Sequence, residues 1–279
     1  MPAKGVDVID IEAPAKEPLP LGDVAGEPGA AVALTAVWKR FSGRQDPITA
    51  LAGITFSARA HEVVGIVGRS GCGKSTMLEL IAGLAEPTSG EIEVGGQSDP
   101  AGRLARCVLM PQRDLLFPWR TALDNASLAL EVAGVRRPEA RRRVEPMFER
   151  FGLAGFARSR PNELSGGMRQ RVAFLRTLLA GKPVLLLDEP FGSLDSLTRA
   201  DMQEWLAAAL REEPRTVVLV SHDVEEALFL CDRVLFLSSR PGRVTSELQV
   251  DIPRPRPRLE TVTSESFIAL KQQALEALA

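Results

Sequence analysis

The sequence lacks the features that mark secreted and membrane-spanning proteins. Its 279 residues include only three cysteines, Cys72, Cys107 and Cys231, an odd number at wide spacing that fits neither a disulfide framework nor a zinc cluster. No apolar run approaches the roughly 18 residues of a membrane-spanning helix. The N-terminus also lacks the basic and apolar segments of a secretory signal. We therefore expect reduced thiols and a cytosolic chain.

The chain also lacks an excess of charge of either sign. Lys and Arg number 34 against 36 Asp and Glu, which gives a formal net charge of -2. Avid binding to a nucleic-acid backbone requires a basic field, so this class of partner is disfavoured. The basic run RRPEARRRVEPMFER at residues 136–150 is interleaved with glutamates at helical spacing, which is typical of a solvated helix face. We expect no nucleic-acid partner.

Composition divides the chain into three parts. Residues 1–30 hold five Pro, four Gly, and two Lys against six Asp or Glu. Such a segment has little apolar surface to offset the entropy of ordering, so we expect a disordered acidic tail there. A folded domain is predicted over residues 31–250. Residues 251–279 are predicted to form a linker and a terminal helix, because Pro alternates with Arg in IPRPRPR.

The central domain alternates short apolar runs with amphipathic helical windows, which predicts an α/β core. Its clearest strands lie at residues 63–67, 184–187 and 216–220. Between about residues 113 and 181 this alternation stops, and the pattern predicts consecutive helices with no clear strand. We therefore expect a helical subdomain inserted into the α/β core.

A glycine-rich segment follows the first of these strands. GRSGCGKST at residues 68–76 matches the P-loop pattern and lies between a strand and a helix, where that motif occurs. Its glycines let the backbone approach phosphate closely, and the following helix adds its positive end. The predicted nucleotide-binding residues are Gly68, Arg69, Ser70, Gly71, Cys72, Gly73, Lys74, Ser75 and Thr76.

Four side chains of this segment have separate expected roles. Lys74 is expected to reach the β- and γ-phosphates, Ser75 to bind Mg²⁺, and Thr76 to support the α- or β-phosphate. A helix N-terminus can lower the pKa of a thiol, but a small residue that fills the loop is the simpler interpretation of Cys72.

A second half of the same site is predicted where an apolar strand ends in VLLLDEP. Asp188 and Glu189 are adjacent at a point where the chain turns, so both carboxylates can face the phosphates. Such a pair alone is often only a solvated turn, but a P-loop in the same chain favours a functional role. We expect Asp188 to hold the Mg²⁺ shell and Glu189 to polarise the attacking water.

A third element, LSGGMRQR at residues 164–171, lies between the two nucleotide motifs. With it the sequence resembles the ATP-binding subunits of ABC transporters, over about residues 33–250. Ser165, Gly166 and Gly167 open a helix and offer free N–H groups to an anion, while Ser165 also caps the helix. The resemblance implies that these residues close onto the γ-phosphate held by a second copy. The expected assembly is a head-to-tail dimer, a homodimer in the simplest case, with two ATP molecules in its interface.

The resemblance also implies a fold and further site residues. The expected fold is a P-loop NTPase core of the RecA-like type, with an antiparallel β subdomain and the inserted helical signature subdomain. Gln112 is expected to sense the γ-phosphate and the metal, His222 to contact the γ-phosphate, and Asp195 to couple the two subunits. Phe41 is the first candidate for stacking on adenine, and Trp38 is the second.

Smaller features resemble the nitrate, sulfonate and taurine importers, and importers of pyrimidine or riboflavin-type precursors share them. They are QRDLLFPWRTALDN at residues 112–125, Met168 in the signature, and SSRPGRV at residues 238–244. The resemblance implies an ATP-hydrolysing subunit at the cytoplasmic face of the inner membrane. Its expected partners are integral membrane permease subunits and, through them, a periplasmic or lipid-anchored solute-binding protein. Pro111, Arg69 and LRTL at residues 175–178 depart from the usual pattern without removing a catalytic group.

The loop after Gln112 predicts where the permease binds. Leu115, Leu116, Phe117 and Trp119 are too many large apolar residues for a free surface loop. We expect a cleft for a short cytoplasmic helix of the permease, with part of the patch packing the subdomain.

Two other functions stay open on sequence grounds. A soluble ABC-type ATPase that remodels nucleic acid or ribosomes usually carries a long coiled-coil insertion or a second cassette, and this sequence has neither. A structural adaptor of a membrane complex carries the same motifs, and measured solute uptake distinguishes it from a transporter subunit.

Overall fold

The computed structural model describes residues 30–42, 47–192 and 194–278 of the chain. In chain order the strands are β1 (Ala30–Phe41), β2 (Ile48–Arg59), β3 (Val63–Gly68), β4 (Ser89–Val94), β5 (Cys107–Met110), β6 (Val184–Asp188), β7 (Thr216–Ser221), β8 (Arg233–Leu237) and β9 (Val244–Gln249). The helices are α1 (Lys74–Ile81), α2 (Pro100–Arg106), α3 (Ala122–Ala126), α4 (Leu128–Val132), α5 (Arg137–Val144), α6 (Met147–Arg150), α7 (Gly166–Leu178), α8 (Ser196–Glu212), α9 (Val224–Leu230), α10 (Arg258–Val262) and α11 (Glu265–Leu278). The acidic tail predicted over residues 1–30 lies outside the described residues, apart from the first residue of β1.

A parallel sheet forms the centre of the fold, with strand order β5-β6-β7-β3-β8-β9. All neighbours pair in parallel except β9, which pairs antiparallel with β8. Every residue of β3, β6 and β7 is buried. Burial on both faces explains why these strands stand out in the sequence as continuous apolar runs. Because β5, β6, β7, β3 and β8 are parallel, the segments that follow them meet at one edge of the sheet.

The two faces of this sheet pack against different partners. Val64 and Ile66 of β3 face a core shared with α1 and with a second, antiparallel sheet of order β2-β1-β4. Val63 and Val67 of the same strand face a core formed with the helices of the other side. In β4, Ile92 is buried while its neighbours are exposed, as its alternating pattern predicts.

Residues 113–181 contain α3 to α7 and, as the structure describes them, no strand. Their main contacts are apolar and aromatic. The ring of Phe174 on α7 lies 5.8 Å from that of Phe191 and 5.9 Å from that of Trp205 on α8. Aromatic pairs at this separation pack the helical region firmly against α8 and the turn after β6.

The basic run at residues 136–150 is largely neutralised inside the same helical region. Arg141 and Arg137 both donate to the buried carboxylate of Asp124, at 2.6 and 2.8 Å. Arg143 pairs with Glu139 at 2.7 Å. These contacts show that two of the arginines hold α3 against α5, in addition to facing solvent as predicted.

Several elements differ from the sequence prediction. The apolar spacing of Met77, Leu78, Ile81 and Leu84 predicts that the helix after the P-loop ends near Leu84. It ends at Ile81, because Gly83 has a φ of 75° and a Cβ there would lie 2.3 Å from the Pro100 carbonyl oxygen. Helix α2 and strand β9 were missed. The residues of β9 alternate between half-buried and exposed, and such a partly polar edge strand gives a weak apolar signal.

The C-terminal segment also differs from the predicted linker. Residues 251–257 are irregular, as alternating prolines predict, but Arg256 is buried against the end of α9. The terminal helical region consists of α10 and α11, and Phe267 and Ala274 of α11 are buried in the core. The segment is therefore part of the folded domain.

The three cysteines lie within the described ranges, are buried and form no disulfide. Burial raises the pKa of the Cys107 thiol to about 12, so this side chain stays protonated at neutral pH. None of the helices in the described ranges combines the length and apolar character needed to span a bilayer.

Candidate active site

A cavity of about 450 Å³ opens at the carboxyl edge of the parallel sheet. One end is lined by apolar side chains, Phe41 of β1 with Ile48 and Ala50 of β2. The other end is lined by Ser70, Gly71 and residues 73–76 of the glycine-rich segment. The size is within the range of small-molecule sites, and the two ends suit a ligand with an apolar ring and an anionic tail.

The glycine-rich segment forms a tight loop whose shape depends on its glycines. Gly71 and Gly73 have φ values of 77° and 106°, which side-chain-bearing residues rarely adopt. A Cβ at Gly73 would lie 2.7 Å from Leu51 Cδ2 and 2.9 Å from the Ala50 carbonyl oxygen. No side chain in the described part of the chain caps the start of α1. Its first N–H groups are therefore free to bind an anion.

Lys74 points back across this loop. Its side chain is buried, and Nζ donates to the carbonyl oxygens of Gly68 at 2.8 Å and Arg69 at 3.2 Å. Cys72 is buried beneath the loop, and a Cβ at Gly68 would lie 3.0 Å from its Sγ. Gly68, Arg69 and Cys72 complete the loop but are not among the described residues that line the cavity.

Asp188 lies at the end of β6 beside the first turn of α1. Its carboxylate is buried, and the hydroxyl of Ser75 lies near enough to influence its pKa. Burial raises the pKa of Asp188 above its usual range, and the neighbouring charge of Glu189 raises it further, while Ser75 and Lys74 oppose the shift. A carboxylate and a hydroxyl side by side are oxygen donors of the kind that Mg²⁺ prefers.

The carboxylate of Glu189, just after β6, is contacted by residues that follow the two neighbouring strands, β5 and β7. Its Oε2 accepts a hydrogen bond from Gln112 Nε2 at 3.0 Å and lies 3.2 Å from His222 Nδ1. Gln112 follows β5, Glu189 follows β6, and His222 follows β7. The backbone of Glu189 has a φ of 47°, and its N–H donates to the Val220 carbonyl at 2.9 Å. A left-handed backbone at a residue with a side chain is a strained arrangement of the kind found at functional sites.

The signature residues lie elsewhere on the same chain. Ser165 caps α7 by accepting a hydrogen bond from the N–H of Met168 at 3.2 Å, and Gly166 is the first residue of that helix. Ser165, Gly166 and Gly167 are absent from the described residues that line the cavity. Asp195 is also outside it, where it caps α8 by accepting from Thr198 N–H at 3.0 Å. That hydrogen bond lowers the pKa of Asp195.

Helix α7 is nevertheless tied to the site. Gln170 is buried and donates to the carbonyl oxygen of Pro190, next to Glu189, at 3.1 Å. Arg169 donates to Asp114 Oδ2, in the loop after Gln112, at 3.0 Å. The signature helix thus contacts the segment that carries Glu189 and the loop that follows Gln112.

The two aromatic candidates for base stacking have different surroundings. Phe41 lines the apolar end of the cavity and is 44% exposed. Trp38 is not among the described lining residues, and the guanidinium groups of Arg40 and Arg243 lie over its ring, at 5.4 and 5.5 Å from its centroid. Only the first candidate is therefore placed to meet a ligand in this cavity.

Three lining residues were not predicted from the sequence, and they are Ile48, Ala50 and Arg240. The first two belong to β2, whose apolar positions carry no motif. Arg240 lies in the SSRPGRV segment after β8, which was noted only as a subgroup feature. A rule that the loop after each parallel strand faces the same edge of the sheet would have included it.

Known proteins share both the sequence and the fold of this chain. The sequence model of a family described as ABC transporter matches residues 51–192, from β2 to the turn after Glu189. The chain belongs to the ABC transporter family. The family that the sequence resembles is thus confirmed.

Several relatives of this ABC cassette carry the name of an import protein. The formylaminopyrimidine import ATP-binding protein ThiZ of Halalkalibacterium halodurans is 45% identical over 75% of this chain and 80% of its own length. The aliphatic sulfonates import ATP-binding protein SsuB 1 of Rhodococcus jostii is 46% identical over 82% of this chain and 87% of its own. The chain spans only about a third, 34–35%, of the longer bicarbonate and nitrate relatives of Synechococcus elongatus.

A solved structure matches the fold of the cassette. The ATP-binding cassette MJ0796, in a dimeric post-hydrolysis state bound to ADP and Pi, has a TM-score of 0.73 and 32% identity to this chain. The match covers 80% of this chain and 100% of the solved one. It confirms the predicted α/β fold with its antiparallel β subdomain, and together with the family it identifies the chain as an ABC-type ATPase.

Proposed function

We propose that this ABC cassette is the ATP-hydrolysing subunit of an importer, and that ATP-driven pairing of two cassettes is coupled to uptake of a small solute. The main support is that Gln112 and His222 both contact Glu189, in the cavity that the glycine-rich loop also lines. The solute class is of the nitrate, sulfonate or pyrimidine-precursor type. The names of relatives at 42–46% identity support that class.

Different residues of the cavity bind the base and the phosphates of ATP. Phe41 stacks on the base at the apolar end of the cavity. The N–H groups at the start of α1 bind phosphate oxygens at the other end, together with Lys74. Lys74 already lies inside the loop and is desolvated by burial, so its charge acts in a region of low dielectric.

Ser75, Asp188 and Gln112 are the proposed ligands of a Mg²⁺ ion. When bound, Mg²⁺ neutralises charge on the β- and γ-phosphates. The Nε2 atom of Gln112 donates to Glu189, which leaves its Oε1 as the ligand atom. The raised pKa of Asp188 reflects a buried carboxylate with too little positive charge around it, and a cation at this position would favour its ionised form.

Glu189 is the proposed base that orients the attacking water. Its Oε2 is held between Gln112 and His222, so the carboxylate has a defined position before any ligand binds. His222 can donate from Nδ1 to this carboxylate, or turn its ring towards the γ-phosphate when ATP is present. The arrangement requires the ends of β5, β6 and β7 to keep their spacing.

A substitution of Glu189 tests the hydrolytic role. Glu189→Gln should lower turnover by about 100 to 10,000-fold while ATP binding stays intact, because the amide cannot accept a proton. Lys74→Ala is the control, since it should weaken binding of the β- and γ-phosphates themselves. Steady-state hydrolysis and a nucleotide-binding assay separate the two effects. Hydrolysis at the wild-type rate by the Glu189→Gln protein would refute the assignment.

The signature residues are proposed to act on a second copy of the cassette. Ser165, Gly166 and Gly167 lie outside the cavity of their own chain, and the solved relative MJ0796 is dimeric, which supports this arrangement. A shift from about 1:99 to 99:1 in favour of the closed dimer needs about 5.5 kcal/mol of differential ATP binding. Cysteines placed at Ser70 and Ser165 should crosslink between chains when ATP is present. Crosslinks found only within one chain would exclude the dimer.

The permease contact is proposed at the loop formed by residues 113–120. Leu115 and Trp119 are 59% and 70% exposed, whereas Leu116 is buried and packs the subdomain. The Phe117 and Trp119 rings stack at 5.1 Å. A patch of this kind on a polar surface is typical of a protein interface. Binding there would hold the chain at the cytoplasmic face of the inner membrane and connect it, through the permease, to a periplasmic or lipid-anchored solute-binding protein.

Asn125 holds this loop in place from α3. Its side chain accepts from Phe117 N–H at 2.7 Å and donates to the carbonyl oxygens of Phe117 and Thr121. Arg176 of α7 donates to the carbonyl of Leu115 at 2.9 Å. These contacts would transmit a movement of the signature helix to the half-buried Phe117 and the exposed Trp119. ATP-dependent solute uptake with the cognate permease tests this coupling and distinguishes the transporter subunit from a structural adaptor.

A further inference from the structure

Arg240 lies at the nucleotide cavity but belongs to none of the sequence motifs that define the site. It is one of two cationic side chains among the described residues that line the cavity, and the other is Lys74. Its Nε donates to the carbonyl oxygen of Gly71 at 3.2 Å. The two terminal nitrogens of the guanidinium carry four further N–H donors, and Nη2 lies 3.5 Å from the position that a Cβ on Gly71 would occupy.

The loop that carries Arg240 is firmly held. The hydroxyl of Ser238 accepts from Arg243 N–H at 3.0 Å and donates to the Pro241 carbonyl at 2.9 Å. The backbone of Gly242 pairs with β2, donating to the Ala50 carbonyl at 2.9 Å and accepting from Ala52 N–H at 3.0 Å. The backbone that carries Arg240 is therefore held in place by the protein itself.

The same loop packs directly on the phosphate loop. A Cβ at Gly242 would lie 2.3 Å from the Cys72 carbonyl oxygen, so only glycine allows this approach. Through Gly242 the loop touches Ala50, at the apolar end of the cavity, and through Arg240 it touches Gly71, at the phosphate end. The loop thus contacts both ends of the cavity, and Arg240 itself lies at the phosphate end.

We propose that Arg240 is a second cationic ligand of the nucleotide and that it binds the α-phosphate. This proposal rests on the proposed function, in which Phe41 holds the base and Lys74 the β- and γ-phosphates. In an adenine nucleotide the ribose and α-phosphate join those two parts, so they pass beside the loop of Arg240, which contacts both ends of the cavity. A guanidinium can donate two parallel hydrogen bonds to phosphate oxygens, which an ammonium group cannot do.

The position of the contact predicts a pattern of affinities. ATP and ADP share the α-phosphate, so the loss of Arg240 should weaken both by the same factor. A contact to the γ-phosphate would instead weaken ATP alone. Adenosine has no phosphate, and its affinity should not change. If Arg240 acted only by holding the Gly71 carbonyl, its loss would distort the phosphate loop and would also weaken ATP and ADP without affecting adenosine. That loss would not depend on the salt concentration, so a loss that stays constant as salt is raised would overturn the direct contact.

Calorimetric titrations with ATP, ADP and adenosine test the proposal. They are performed in EDTA, so that no hydrolysis occurs, on the wild type, Arg240→Gln, Arg240→Lys and Arg243→Gln. Arg240→Gln should weaken ATP and ADP by about tenfold each, and Arg240→Lys by less, because it keeps the charge but loses the paired donors. Arg243→Gln is the matched control. It removes the same charge from the same loop at a residue that stacks on Trp38, and it should bind all three ligands as the wild type does.

The outcomes separate this proposal from the function on which it rests. Any of four results would overturn the role of Arg240. In Arg240→Gln these are unchanged ATP and ADP affinities, a loss of affinity for ATP alone, or a loss that includes adenosine. The fourth is an equal loss of affinity in Arg243→Gln. Failure of the wild type to bind ATP would instead overturn the proposed function. The tenfold loss should also shrink as salt is raised, because an exposed charge contact is screened.

Discussion

Arg256→Met is predicted to lower the free energy of unfolding by about 3 kcal/mol, although Arg256 belongs to a segment that looks like a linker in the sequence. Arg256 is 8% exposed. Within the described residues it makes six hydrogen bonds of 2.8 to 3.2 Å to five backbone carbonyls. Those carbonyls belong to Leu228, Phe229, Cys231, Val250 and Ile252.

The size of the predicted loss of stability follows from the carbonyl groups that Arg256 contacts at the end of α9. That helix stops at Leu230, so the carbonyls of Leu228 and Phe229 have no donor from a following turn. With the Cys231 carbonyl they form three acceptors that Arg256 serves from a buried position. At about 1 kcal/mol for each buried acceptor left without a donor, the loss is about 3 kcal/mol. Removing a cation from the negative end of the helix adds a few tenths.

In the native chain, the cost of burying the charge of Arg256 offsets part of the stabilisation that its hydrogen bonds give. Burial lowers the pKa of Arg256 to about 10, and the nearby charge of Arg254 acts in the same direction. At neutral pH the group is still protonated and all of its donors are used. Methionine fills much of the same volume without a charge, so the predicted loss is for the hydrogen bonds and not for a cavity.

Urea unfolding followed by circular dichroism measures the difference. Arg254→Met is the control, because Arg254 stands two residues away in the same alternating Arg-Pro segment. Its side chain is 29% exposed and it serves one carbonyl, that of Leu230, besides the partly exposed Asp232. It should cost about 1 kcal/mol. An Arg256→Met protein within 1 kcal/mol of the wild type, or equal to Arg254→Met, would refute the reasoning.

Three further predictions concern the coupling loop, the cavity and pH. Trp119→Ala should leave basal hydrolysis by the isolated subunit unchanged but lower solute-stimulated hydrolysis and uptake, since an aromatic anchor at an interface is worth about 2 kcal/mol; normal transport would contradict this. Phe41→Ala should weaken ATP binding about tenfold through lost stacking, while Trp38→Ala should not, and calorimetry distinguishes them. Burial raises the pKa of Glu226 from an ordinary 4.5 to about 7, so the folded chain holds this proton more tightly than the unfolded chain and stability falls as pH rises between those values. Glu226→Gln should remove that fall. If the free energy of unfolding changes by the same amount between pH 5 and pH 8 in both proteins, the prediction is wrong.

Strands that are buried on both faces, and motifs whose residues are consecutive in the chain, were predictable from the sequence. Strands β3, β6 and β7 are continuous apolar runs because both of their faces are covered. Strand β9 was missed because it pairs on one side only, at the edge of the sheet, where polar residues are tolerated. Helix α2 was missed because only Arg103 of its seven residues is buried, so it has no apolar face to give a periodic signal.

The sequence by itself determined the phosphate loop, because nine consecutive residues carry its glycines, its lysine and the start of its helix. It also determined that Asp188 and Glu189 end a buried strand. Only the tertiary structure decided which distant side chains join them. Gln112 and His222 reach Glu189 because parallel strands end at one edge of the sheet, and Arg240 reaches the phosphate loop for the same reason. Arg254 and Arg256 have the same neighbours in the sequence, and one is buried because burial depends on what packs around a residue and not on the residues beside it in the chain.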